Sequence, residues 1–92
     1  MSAGRLVGLT QEERVGVSRA LLRHPEWRGR LERAATADSS LADVCGCYAS
    51  AWRGYEFWCL RAGAEAGENL AEYEAHIARI EADIDAWLAR LG

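Results

Sequence analysis

Three cysteines, Cys45, Cys47 and Cys59, and two histidines, His24 and His76, are the side chains in this 92-residue sequence that could hold a metal or supply a nucleophile. Zinc sites gather such ligands at C-x2-C or H-x3-H spacing, and no such spacing occurs here. Cys45 and Cys47 fall in a helical stretch, where each residue turns ~100° and the two sulfurs diverge to nearly opposite sides. Buried cysteine otherwise behaves as a small hydrophobe, so neither a metal nor another cofactor is expected. Nucleophilic catalysis needs a base on the nucleophile and a third group orienting that base. His76 could approach Tyr55 or Cys59 across a turn, but nothing in the pattern supplies the third group. The chain reads as a non-enzyme with no catalytic residues.

The carboxylates suggest a surface rather than a reaction centre. Glu81 and Asp85 share a helix face, being four residues apart, whereas Asp83 between them does not. With Glu74 they form a negative strip, either simply solvated or docking a basic partner. All eleven basic residues are arginine, and the net charge of −3 hides a split. Arg5, Arg14, Arg19, Arg23, Arg28, Arg30 and Arg33 dominate the first third, and the remainder is acidic. Such asymmetry fits a nucleic-acid surface or attraction between the two halves. The acidic half would repel a phosphate backbone, which favours attraction and makes DNA binding by the arginine-rich third the weaker reading.

These groups must be positioned by helices. Thr10 and Glu13 have the spacing of a capping box, opening a helix over about 11–23 with Val15, Ala20 and Leu22 on its apolar stripe. Pro25 stops that helix and begins another over about 25–35, whose Trp27 and Leu31 need a surface to dock on because so short a helix is marginal alone. Asp38, Ser39 and Ser40 announce a long helix over about 40–62, with Leu41, Val44, Cys45, Tyr48, Trp52, Tyr55, Cys59 and Ala62 on one face. Residues 63–68 (GAEAGE) read as a turn. Asn69 and Glu72 then open a last helix over about 69–91. There Leu70, Tyr73, Ile77, Ile80, Ile84, Trp87 and Leu91 follow a heptad seam.

The expected fold is therefore all-α: a single helical domain over 10–92 preceded by a flexible arm over 1–9. Two long antiparallel helices form a hairpin, completed by the two shorter ones as a four-helix bundle or as a dimeric bundle. Away from the seam, Ala42, Gly46, Ser50 and Gly54 recur every fourth residue and outline a groove of small side chains bordered by Phe57. Its occupant is left open: the first two helices, the same groove of a second copy in a homodimer, or a helix of another protein. In a two-fold pairing centred on Trp52, Cys45 would face Cys59 of the second copy; within one helix the two lie about 21 Å apart and cannot bond.

Half the residues are hydrophobic and one is proline, which argues against disorder. No stretch reaches the ~18 apolar residues of a membrane span, and the N-terminal MSAGRLVGLT lacks the apolar core of a secretion signal. Reduced thiols and a cytoplasmic location follow as expectations. The expected function is that of a small helical protein-binding module of bacterial or phage type: an adaptor, a regulator or an inhibitor of a macromolecular complex. Gly46, Ser50, Gly54, Phe57 and Trp58 would contact a helix, and Glu74, Glu81 and Asp85 a charged partner. The alternative is a ligand- or cofactor-binding bundle, monomeric or homodimeric, whose aromatic seam of Tyr48, Trp52, Tyr55, Trp58 and Trp87 holds an apolar molecule. In architecture alone the hairpin resembles small helical adaptor and Rop-like proteins, and architecture does not carry function.

Overall fold

The computed structural model describes residues 8–61 and 63–91; the proposed arm thus lies mostly outside the described residues, as does Ala62. Every element among them is helical, and four α-helices pack against one another. None is long and apolar enough to cross a membrane.

Helix α1 (Gln11–Arg23) begins where Thr10 and Glu13 place it. The Thr10 hydroxyl accepts from the Glu13 N–H at 3.1 Å, and the Glu13 carboxylate accepts from the Thr10 N–H at 2.9 Å. Its buried stripe differs from the expected one. Gly16, Val17, Ala20 and Leu21 face inward, while Val15 is exposed and Leu22 is 79% exposed. Small residues decide this orientation: with Gly16 and Ala20 inward, α1 settles onto the backbone of the next long helix more closely than a Val15–Leu22 face would allow.

The second helix is also not as expected over 25–35. Pro25–Trp27 form a 3₁₀ turn, and α2 (Arg30–Ala37) starts afresh after Gly29. Gly29 has φ +84°, a left-handed conformation in which glycine carries no Cβ penalty. Trp27 and Leu31 are both in the core. Glu32 reaches back to accept from the Gly29 N–H.

Asp38 caps α3 (Ser39–Cys59) by accepting from the Ser40 N–H at 2.9 Å. This helix is central and contacts α1, α2 and the last helix. Leu41, Ala42, Cys45, Tyr48, Ala49 and Ala51 are buried on it, whereas Cys59, expected on the same face, is exposed. The chain then turns through Gly63 (φ +115°) into α4 (Ala64–Leu91). Helix α4 thus starts five residues earlier than expected, and Asn69 lies inside it. Alanine and glutamate are good helix formers, so one left-handed glycine is enough of a turn and the rest of GAEAGE is helical.

Ile77, Ile80 and Ile84 of α4 are buried as the heptad pattern requires. At the end the seam shifts: Leu88 is 2% exposed and Leu91 62% exposed. At ~100° per residue Leu88 and Leu91 both point to within ~40° of Ile84, so helical phase does not separate them; Leu91 is the last residue of α4. Contacts between α3 and α4 run in opposite order along the two helices, with Tyr55 meeting Glu74 and Tyr48 meeting Glu81.

Candidate functional site

A polar junction sits where α1, α3 and α4 meet. Glu81 of α4 accepts from Arg23 Nε of α1 and from the Tyr48 hydroxyl of α3, each at 2.6 Å on Oε2. Its other oxygen lies 3.6 Å from His24 Nε2. Burial alone would push the Glu81 carboxyl up, but hydrogen bonds from Tyr48 and Arg23, with the charges of Arg23 and His24, outweigh it and hold it below 4.5. Burial, reinforced by the Glu81 hydrogen bond, pushes Tyr48 up to about 12.

Beside this junction Trp52 carries two guanidiniums over its ring, Arg19 at 4.7 Å and Arg23 at 5.1 Å. Arg19 also pairs with Glu56 at 2.6 Å. The expected attraction between the arginine-rich first third and the acidic remainder thus takes concrete form in Arg19–Glu56 and Arg23–Glu81. Arg53 to Glu12 is a third pair with the signs reversed, closed by Arg53 Nη2 at 2.7 Å from Glu12 Oε2. Between Trp52, Tyr55, Arg23, Glu74 and Glu81 a cleft of about 220 Å³ remains.

Tyr48 is held protonated, and burial with the nearby charge of Glu13 pushes the Cys45 thiol up to about 12. Among the described residues no group of three His, Cys, Asp or Glu side chains could hold a metal ion. His24 is stacked on Trp27 at 4.1 Å with its Nδ1 3.2 Å from Glu26, and His76 is exposed on α4.

The eight residues singled out for partner binding do not form one surface. Gly46 lies under the first turn of α1, where a β-carbon would meet Glu13 at 3.5 Å, and at Gly54 it would strike the Tyr73 ring at 2.4 Å. The small-residue stripe is therefore divided: α1 covers one end and α4 the other, while Ser50 is exposed between them. Leu22, on the first helix, points to solvent and covers none of it. Glu81 is partly buried in the junction, whereas Glu74, which lines the same cleft, and Asp85 are exposed. Cys45 is fully buried and cannot face Cys59 of a second copy.

Phe57 and Trp58 do come together, at the end of α3. Their rings stand edge to face at 5.4 Å, and the Arg61 guanidinium lies 4.3 Å over Phe57 and 5.8 Å from Trp58. Phe57 is 49% exposed and Leu60 90% exposed. Arg61 and Leu60 were absent from the sequence-based set, although Arg61 follows Phe57 by four residues, the spacing at which helical side chains meet. The partners of Glu81 had no comparable signal, because Arg23 and Glu81 are 58 positions apart. No protein-family model, curated protein or solved structure matches the chain.

Proposed function

We propose that this chain is a non-enzymatic protein-binding module: an α3–α4 antiparallel hairpin completed by α1 and α2 into a four-helix bundle, docking a protein partner through the end of α3. The observation that carries this reading is the Phe57–Trp58–Leu60–Arg61 cluster, with large apolar groups facing water and an arginine stacked across two rings. Aromatic residues and arginine dominate the binding energy of protein interfaces, and an exposed leucine beside them enlarges the apolar area that a partner would cover. The exposed strip of Glu74 and Asp85 would steer a basic partner rather than anchor it. Exposed, unpaired Cys47 and Cys59 suit a reducing compartment such as the cytoplasm.

A photo-crosslinking amino acid at Leu60, used in the cells that make the protein, tests the reading. The expected result is one protein adduct that disappears in Phe57→Ala/Trp58→Ala and is absent when the probe replaces Asp83. Equal labelling from both positions, or labelling untouched by the double substitution, would overturn it. An adduct with a second copy of the chain would make the partner the chain itself, a homodimer. A bundle that holds a ligand is the second reading, favoured by the aromatic cleft beside Trp52 and Tyr55; a bound mass in native spectrometry of the purified protein would support it.

A further inference from the structure

Intrachain ion pairs account for Arg19, Arg23 and Arg53, but Arg61 is placed differently. Its guanidinium lies 4.3 Å over the Phe57 ring and 5.8 Å from Trp58, and among the described residues no carboxylate pairs with it. Glu56, the acid next to Phe57, is taken up by Arg19 of α1 at 2.6 Å. The backbone beneath is held in place, since the Arg61 N–H donates to the Trp58 carbonyl at 3.1 Å. A guanidinium stacked on a ring turns its flat face to the ring, and its N–H groups, which lie in its own plane, stay available. Phe57 is 49% and Leu60 90% exposed, so this donor fork stands beside apolar surface that water reaches.

We propose that the end of α3 recognises a partner segment in which an aspartate or glutamate stands among bulky apolar residues. Arg61 takes the carboxylate bidentately, and the apolar side chains cover Phe57 and Leu60. This assignment rests on the protein-binding reading and narrows it to the chemistry of the partner. Arginine matches a carboxylate with two parallel N–H···O bonds, and the rings beneath restrict the guanidinium before binding, which lowers the ordering cost of the contact. Covering Phe57 and Leu60 removes apolar area from water and shields the ion pair from the screening that makes fully exposed pairs weak. A two-fold contact with a second copy fits less well, because such an interface sets one patch against itself and brings guanidinium to guanidinium. Nucleic acid could stack on the rings but would leave aliphatic Leu60 uncovered, and the net charge of −3 opposes a phosphate backbone. The strip of Glu74 and Asp85 acts at a distance on a partner's overall charge, whereas Arg61 reads one side chain in contact.

Nuclear magnetic resonance titration of the purified chain, following the Trp58 indole N–H and the Leu60 methyl signals, tests the assignment. The probes are two short peptides with blocked ends, one carrying an aspartate between two leucines and its twin carrying asparagine there. The expected result is saturable shifts of both signals, with the aspartate peptide bound about three- to fivefold more tightly, the scale of one well-formed exposed ion pair. Arg61→Gln, at an exposed position beyond α3, should remove that preference while circular dichroism stays helical, and Arg61→Lys should keep part of it. The proposal is overturned by equal binding of the two peptides, by a preference that survives Arg61→Gln, by shifts from neither peptide, or by oligodeoxythymidine binding in their place. Each of these outcomes leaves the protein-binding reading standing as long as the probe at Leu60 crosslinks a partner; loss of that crosslink overturns the reading itself.

Discussion

Gly16 on α1 lies so close to the carbonyl oxygen of Cys45 on α3 that a β-carbon at residue 16 would sit 1.8 Å from that oxygen. Glycine in a helix costs about 1 kcal/mol relative to alanine, so propensity alone would make Gly16→Ala stabilising. The obstacle is backbone, which cannot step aside like a side chain, and the expected effect has the opposite sign. Gly16→Ala should cost about 3 kcal/mol in urea unfolding followed by circular dichroism, at the upper end for overpacking. Gly67→Ala, where nothing lies within 4 Å, should instead gain up to about 1 kcal/mol. A gain at both positions would mean that α1 does not sit on α3 as described.

Glu81 gives stability a pH dependence. Its carboxyl is held below 4.5 when folded, so between that depressed value and 4.5 the folded state binds fewer protons than the unfolded one. Falling pH then favours unfolding. The contribution is fully present above about 4.5 and is lost as pH drops through the folded value. Glu12, lowered by its hydrogen bond from Arg53, and Glu26, lowered by its own backbone N–H, contribute with the same sign. Glu81→Gln should therefore flatten the acid limb of stability against pH without abolishing it. Identical limbs in both proteins would remove Glu81 from the account.

The Tyr48–Glu81 hydrogen bond predicts a non-additive pair. In Glu81→Leu the Tyr48 hydroxyl stays in the core without its acceptor, at a cost of about 1–3 kcal/mol, whereas removing both polar partners can be nearly neutral. Arg23 is half-exposed and can turn to water. Tyr48→Phe/Glu81→Leu should accordingly be more stable than Glu81→Leu alone. A double variant less stable than either single one would contradict the coupling.

What could be read from the sequence was local. The Thr10–Glu13 box and the Asp38 cap are decided within three residues, and Ile77, Ile80 and Ile84 repeat within one helix. Gly29 escaped notice because Pro25 already explained a helix start, so nothing marked the second break four residues later. Gly54 looked like one side of an open groove and Gly16 gave no sign of its contact, since a glycine's neighbour across helices has no trace in its own sequence window. The Glu81 junction was illegible for the same reason: Arg23, Tyr48 and Glu81 belong to three helices. The α3 cluster was half legible, through Phe57 and Trp58, because those residues are adjacent in sequence.

The three thiols should divide by reactivity. Cys45 is buried and its thiol pushed up to about 12, chiefly by burial, while Cys47 and Cys59 are exposed. The thiolate is the reactive form. A chromogenic disulfide reagent at pH 8 should titrate two thiols at once and the third only after denaturant is added. Any disulfide-linked dimer formed by oxidation should contain Cys47 or Cys59 and never Cys45. Three thiols reacting at one rate in the native protein would place Cys45 elsewhere than the core.

The end of α4 offers the sharpest contrast between a heptad repeat and a real helix. A strict repeat puts Leu91 inward after Ile84 and Trp87, yet Leu88 occupies the core position. Leu88→Ala should then cost about 2–5 kcal/mol, as other large-to-small core changes do, and Leu91→Ala should stay within about 0.5 kcal/mol of the parent. Urea melts of the two variants decide between the alternatives, because a coiled-coil seam over the last turn predicts the reverse order. Equal losses at both positions would mean that the last turn is buried on two sides.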